Sequence, residues 1–274
     1  MKRTLILAMI LGAAWTAVAT ADGGGPSPGL DFGNGVVAPG EQRIVALSDG
    51  RSTLLESIAI PSGKVERMRY LKGALGIPLV TYSGQTGGLA RDDSRLVLAT
   101  WPGAQSLTRF VAVDPIDFRV QARVKLHGRF AFDALSPNGS LMYVLQYLGK
   151  PSGVAQPYAV RAFNWRTRKL LPGAIVDTRE PDEKMNGLPM KRVGTPTGWA
   201  YTLYSRQGKR PFVHALDTVH RRAFCVDLPW RNSDNWIQTV KMRVRGRMLE
   251  LRRDGRTIAR MDRKTLEVRN PAGP

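Results

Sequence analysis

Phe132-Asp-Ala-Leu-Ser-Pro-Asn-Gly-Ser-Leu-Met-Tyr-Val-Leu145 places two short apolar runs on either side of Pro137-Asn138-Gly139. Asn-Gly readily takes the positive φ angles of a tight hairpin, so the stretch predicts two antiparallel strands. A second pair follows: Ala159-Val-Arg-Ala-Phe-Asn164, a turn residue, then Lys169 to Val176. Together they form one unit: strand A, tight turn, strand B, loop, strand C, Asp or Asn turn, strand D.

Both halves of the unit recur along the chain. The C–D half returns as Arg109 to Asp114 with Arg119 to Leu126, Phe212 to Asp217 with Arg222 to Leu228, and Thr257 to Asp262 with Thr265 to Val268. A degenerate copy runs from Leu54 to Ile60, with Pro61 at the turn. The turn positions 61, 114, 164, 217 and 262 are 53, 50, 53 and 45 residues apart. The A–B half returns around Arg91-Asp92-Asp93-Ser94, Pro196-Thr197-Gly198 and Arg245-Gly246. No long segment carries apolar residues at i, i+3, i+4 and i+7 with caps, so helices are not expected. A period near 50 with four strands predicts an all-β fold, a β-propeller of five or six four-stranded blades. Phe32 to Val37 could supply the first strand A or close the ring beside the last unit.

The stretches SPNGSLMYV, YAVRAFNWRTRKL and GRTIARMDRKTLEV resemble the YVTN-type repeats of secreted bacterial β-propellers. The resemblance covers about residues 41–269 and extends to secreted propellers of GC-rich Gram-positive bacteria. It rests on turn signatures and implies a fold, with no activity attached.

Residues 1–21 read as a secretory signal. Lys2 and Arg3 precede the apolar Leu5 to Ala14, and Ala17-Val18-Ala19 and Ala19-Thr20-Ala21 offer small-x-small cleavage sites. Residues 22–40 are rich in Gly and Pro and read as a flexible arm, and 270–274 as a tail. The expected mature chain is secreted and monomeric, and Cys225, alone, can form no internal disulfide. The chain carries 41 Lys and Arg against 22 Asp and Glu, a net +19. Such a field attracts anionic polymers and acidic surfaces, and nucleic acid only as a non-specific polyanion. The same charge would also arise from an Arg-, Ala-, Gly- and Pro-rich composition without selection for binding.

No motif for chemistry stands out. His127, His214 and His220 lie in different units and lack the close ligand pair of a zinc site, so neither metal nor cofactor is expected. Gly84-Gln-Thr-Gly87-Gly88 precedes a strand, where phosphate loops precede a helix. Glu180, Asp182 and Glu183 sit in a loop among Arg179 and Lys184, and read as a solvated cluster. Asp114, Asn164, Asp217 and Asp262 read as turn residues bonding their own backbone, a task Asp and Asn share.

The long connections are B–C and D–A, which share one face of a propeller. They carry Trp101, Tyr147, Tyr158, Trp230 and Trp236 with Lys150, Arg179, Arg206, Lys209, Arg210 and Arg231. Aromatics interleaved with cations on loops predict a recognition surface. In the last unit Val240, Met242 and Val244 alternate with Lys241, Arg243 and Arg245, giving a core face and a cationic face. That stripe suits phosphate binding and equally suits a solvated sheet edge. The expected function is non-enzymatic binding of a protein, glycan or anionic cell-envelope polymer. The alternative is a hydrolase or lyase at the central opening, metal-dependent or not, with Asp133 as its candidate group.

Overall fold

The computed structural model describes residues 27–101, 106–149, 156–182, 185–231 and 235–270. It is an all-β chain of five antiparallel sheets, each a meander in sequence order. Blade 1 comprises β1 (Val36–Ala38), β2 (Gln42–Ser48), β3 (Ser52–Ala59) and β4 (Val65–Lys72). Blade 2 comprises β5 (Leu96–Ala99), β6 (Leu107–Val113) and β7 (Val120–His127). Blade 3 comprises β8 (Phe130–Leu135), β9 (Leu141–Tyr147), β10 (Tyr158–Asn164) and β11 (Lys169–Leu170). Blade 4 comprises β12 (Leu188–Gly194), β13 (Trp199–Ser205), β14 (Phe212–Asp217) and β15 (Arg222–Asp227). Blade 5 comprises β16 (Lys241–Arg245), β17 (Met248–Arg253), β18 (Arg256–Asp262) and β19 (Val268–Arg269). These are the blades of a β-propeller, five among the described residues. No described helix is long and apolar enough to cross a membrane.

The start of the chain differs from the sequence reading. Residues 27–40, expected in a flexible arm, are built into the fold. Val36↔Ile44 and Ala38↔Gln42 pair β1 with β2, which makes β1 the strand A of blade 1. Upstream, Asp31 is buried, its N–H donates to the Ile77 carbonyl (2.8 Å), and its Oδ2 accepts from the Gly35 N–H (2.7 Å). The signal 1–21 and Lys150 lie outside the described residues.

Four apolar seams hold the blades together. Ile44, Leu55 and Leu71 meet Leu98, Val111 and Phe118 between blades 1 and 2. Phe110, Val124, Phe132 and Phe163 join blades 2 and 3, and Tyr143, Tyr158, Tyr204 and Phe212 join blades 3 and 4. Leu203, Val213, Leu249 and Met261 join blades 4 and 5. Among the described residues no such core joins blade 5 back to blade 1. The register explains why. Leu47↔Leu54↔Tyr70 and Val45↔Glu56↔Met68 lie on the second face of blade 1, where Tyr70 is 70% and Met68 60% exposed. The second face of blade 5 carries Arg243↔Glu250↔Arg260↔Arg269 and Lys241↔Arg252. Closing an apolar face over that row would bury three arginines against the single carboxylate of Glu250, and the excess positive charge would cost several kcal/mol to desolvate. Among the described residues the outer strand of blade 1 accordingly keeps Met68 and Tyr70 in water, while Val45 and Glu250 on the inner parts of the two faces are buried.

The C–D turns share one geometry. The Oδ1 of Asp114, Asn164, Asp217 and Asp262 accepts from the backbone N–H two residues on, at 2.8 to 3.1 Å. Four residues on, Phe118, Arg168, Arg221 and Leu266 take left-handed φ angles of 54° to 63°. In blade 1 the corresponding position is Ala59, two residues before Pro61. Gly63 supplies the left-handed residue, with its N–H donating to the Ala59 carbonyl at 2.8 Å.

Blade 2 lacks a regular strand A. Gly88–Ala90 takes its place: the Val97 N–H donates to the Gly88 carbonyl and the Ala90 N–H to the Arg95 carbonyl, both at 2.8 Å. The Gly-rich segment before it bridges the blades from the inside. Gln85 bonds both N–H and C=O of Arg192 (2.7 and 2.9 Å), and Thr86 Oγ1 donates to the Gly35 carbonyl (3.0 Å). A Cβ on Gly87 would lie 2.6 Å from Val80 and 2.8 Å from Phe132. These glycines allow close packing near the axis.

Candidate functional site

Near the axis, β8 carries a bulge between Phe132 and Ala134, which sets Asp133 out of the regular alternation. Its Oδ1 and backbone carbonyl both accept from the Arg192 guanidinium, and Arg192 Nε donates to Thr202 Oγ1 at 2.8 Å. Both residues line a cavity of about 410 Å³ with Thr86, Gly87, Gly88, Phe132, Thr195 and Trp199. Asp133 is thus the clamp between the inner strands of blades 3 and 4. Behind it His214 is fully enclosed, and burial lowers its pKa from 6.5 to about 4, so it is neutral at physiological pH. Burial also raises the Tyr204 and Tyr158 hydroxyls well above the ordinary phenol value. Among the described residues no three His, Cys, Asp or Glu side chains are grouped to hold a metal. Glu180 and Asp182 are exposed, and Glu183 lies outside the described residues.

The residues expected on the loop-rich face divide into four groups. Tyr147 and Tyr158, expected as surface contacts, are in the core instead: they pack edge-to-face at 6.4 Å, and Tyr158 continues to Tyr204 at 6.1 Å. Each sits on the last or first residue of a paired strand facing blade 4, which buries it. Arg206 is held in place, with its guanidinium on Asp227 and over the Phe212 ring at 4.6 Å. Arg179 is likewise tied to Asp177 and lies over Phe224. Trp230 and Trp236 meet edge-to-face at 5.2 Å and pack on the blade 4–5 core as partly exposed side chains. Trp101, Lys209, Arg210 and Arg231 are exposed, and Trp101 rests beside Phe32 at 6.4 Å.

A strongly cationic groove of about 810 Å³ lies at the inner edge of blade 5. Lys241 and Arg243 line it from β16, Arg252 and Arg253 from the end of β17, Gly255 from the B–C turn and Lys191 from β12. Five cations face one carboxylate, Asp254. Arg253 lies 4.9 Å over the Trp236 ring, which joins the groove to the aromatic pair. Arg243 bonds Glu250 at 2.6 Å and holds its carboxyl below the ordinary range, whereas Lys191 and Lys241 form no ion pair among the described residues. The alternation in 241–245 pointed to this strand. The share of Lys191 was invisible, because it comes from another blade 50 residues earlier.

No family model matches the chain, and no curated protein matches it. Solved structures do. Over 87% of its length the chain is similar to dihydro-heme d1 dehydrogenase NirN in complex with DHE, at 10% identity and a TM-score of 0.51. It spans 45% of that protein, less than half of its length. It also aligns over 90% of its length with 71% of the Swd1 β-propeller domain of Myceliophteria thermophila (12% identity, TM-score 0.47). A puromycin hydrolase aligns over 89% of this chain and 39% of its own (15% identity, TM-score 0.48). At these identities the likeness is one of fold.

Proposed function

We propose that the chain is a secreted, non-enzymatic propeller that binds an anionic polymer of the cell envelope through the groove of blade 5. The observation that supports this reading is the convergence of Lys191, Lys241, Arg243, Arg252 and Arg253 on one groove beside an aromatic pair. A polymer of repeated phosphates or carboxylates gains by displacing counterions there, so binding weakens steeply with salt. The exposed Lys209, Arg210 and Arg231 lie on the same loop-rich face and extend the attractive field. The hydrolase or lyase reading would need a free acid or base at the axis, and Asp133 is committed to Arg192.

The test is retention of the mature protein on purified cell envelope and on a polyphosphate resin across a salt series. The triple variant Lys191→Glu, Lys241→Glu, Arg252→Glu should lower the salt slope by about two, at roughly 0.7 per lost phosphate contact on a flexible polyanion. Retention equal to that of the unmodified protein would overturn the assignment. Release from envelope at the same salt as from the polyphosphate resin would reduce it to generic charge.

A further inference from the structure

A second cavity, of about 500 Å³, lies on the opposite side of the molecule. It is built at the seam of blades 4 and 5 from the short turns. Trp199 follows the A–B turn of blade 4, and Arg222 and Phe224 follow its C–D turn. Arg247 sits in the A–B turn of blade 5, and Arg263, Lys264 and Leu266 in its C–D turn. Four cations therefore meet an apolar wall of Trp199, Phe224 and Leu266. Trp199 stacks with Phe224 at 6.3 Å and with Tyr201 at 5.7 Å, which stiffens that wall.

The guanidinium groups are held before any ligand arrives. Arg263 donates through Nη1 to the Gly246 carbonyl (2.8 Å) and through Nε to the Tyr201 hydroxyl (3.2 Å). Arg247 Nε donates to Asp262 at 2.7 Å, and Arg222 Nη2 to Asp217 at 3.0 Å. Arg263 Nη2 and Arg247 Nη1 and Nη2 take no part in those bonds and can donate to an anion. Lys264 forms no ion pair among the described residues. Two carboxylates against four cations leave the site net positive by two (4 − 2). A positive, apolar-walled cavity of this volume lies within the range of small-molecule pockets. Pre-fixed guanidinium forks also lower the entropy lost on binding an oxyanion.

We propose that this cavity binds a small organic anion: one phosphate or carboxylate head on Arg247, Arg263 and Lys264, joined to a planar apolar group against Trp199, Phe224 and Leu266. The site is separate from the blade 5 groove and does not depend on the polymer reading.

Calorimetric titration of the whole mature protein with phenyl phosphate, inorganic phosphate and phenol tests it. Phenyl phosphate should bind one equivalent at least tenfold more tightly than either fragment. The exposed Lys264→Glu change should weaken phenyl phosphate about tenfold or more without altering the melting curve. Lys264→Ala gives a milder loss of the same sign, and Lys241→Glu in the polymer groove leaves it unchanged. Equal affinity for phenyl phosphate and inorganic phosphate would overturn the proposal, because the apolar wall would play no part. So would a loss on Lys241→Glu matching that on Lys264→Glu, which would reveal only a diffuse charge effect.

Discussion

Replacing Asp133 by Ala asks whether that carboxylate is architecture or reserve chemistry. Its side chain is 1% exposed and that of Arg192 11%, so the variant leaves a guanidinium largely buried without its counter-ion. Removing one partner of a buried pair costs about 3–5 kcal/mol. Arg192 keeps the Thr202 hydroxyl and the backbone carbonyl of residue 133 as acceptors, which places the cost near the lower end, about 3 kcal/mol. The double variant Asp133→Ala, Arg192→Met removes the orphaned charge as well and should recover roughly half of that loss, since replacing both members of a buried pair is often near neutral. Urea unfolding followed by tryptophan fluorescence measures both, with an unchanged m value certifying a common unfolding reaction. A single variant within about 1 kcal/mol of the parent would refute the clamp, as would a double variant less stable than the single one. The axial carboxylate would then be free to act chemically.

Other perturbations separate packing from binding. His214 is buried with its pKa lowered to about 4, so below about 6.5 the unfolded chain takes up a proton that the folded chain refuses. Stability should therefore fall as the pH drops from about 6.5 to 4, by about 3 kcal/mol in total, and His214→Gln should flatten that part of a pH–stability curve. An unaltered curve in the variant would count against the burial argument. Gly88 has φ +92° and a would-be Cβ 2.5 Å from the Val97 carbonyl, whereas Gly84 has φ +81° and open space around it. Gly84→Ala should cost about 1 kcal/mol and Gly88→Ala clearly more, because only the second adds a backbone clash. Equal losses in thermal unfolding would show that the segment yields.

The amino-acid sequence by itself determined most of the strands, their grouping into five or six units and the chemistry of the turns. Those depend on short-range rules: alternation over a few residues, Asn-Gly hairpins, and an Asp or Asn bonding its own backbone two residues on. It also showed that one face of β16 is cationic, because alternation within a strand assigns faces locally. Only the tertiary structure decided which aromatics are exposed. Tyr147 and Tyr158 stand at loop boundaries in the chain, yet blade 4 covers them, and no local pattern announces a neighbour from another repeat. The same holds for Lys191 beside Lys241, for Arg192 on Asp133, and for the turns of blades 4 and 5 that meet around Trp199. The lack of an apolar core between blades 5 and 1 among the described residues has the same origin. Each end face is readable as apolar or cationic from its strands, but that the two would have to meet for closure follows from how the five sheets stack. Pairing within a blade is set by neighbours in the chain, and every site on this molecule is made between blades.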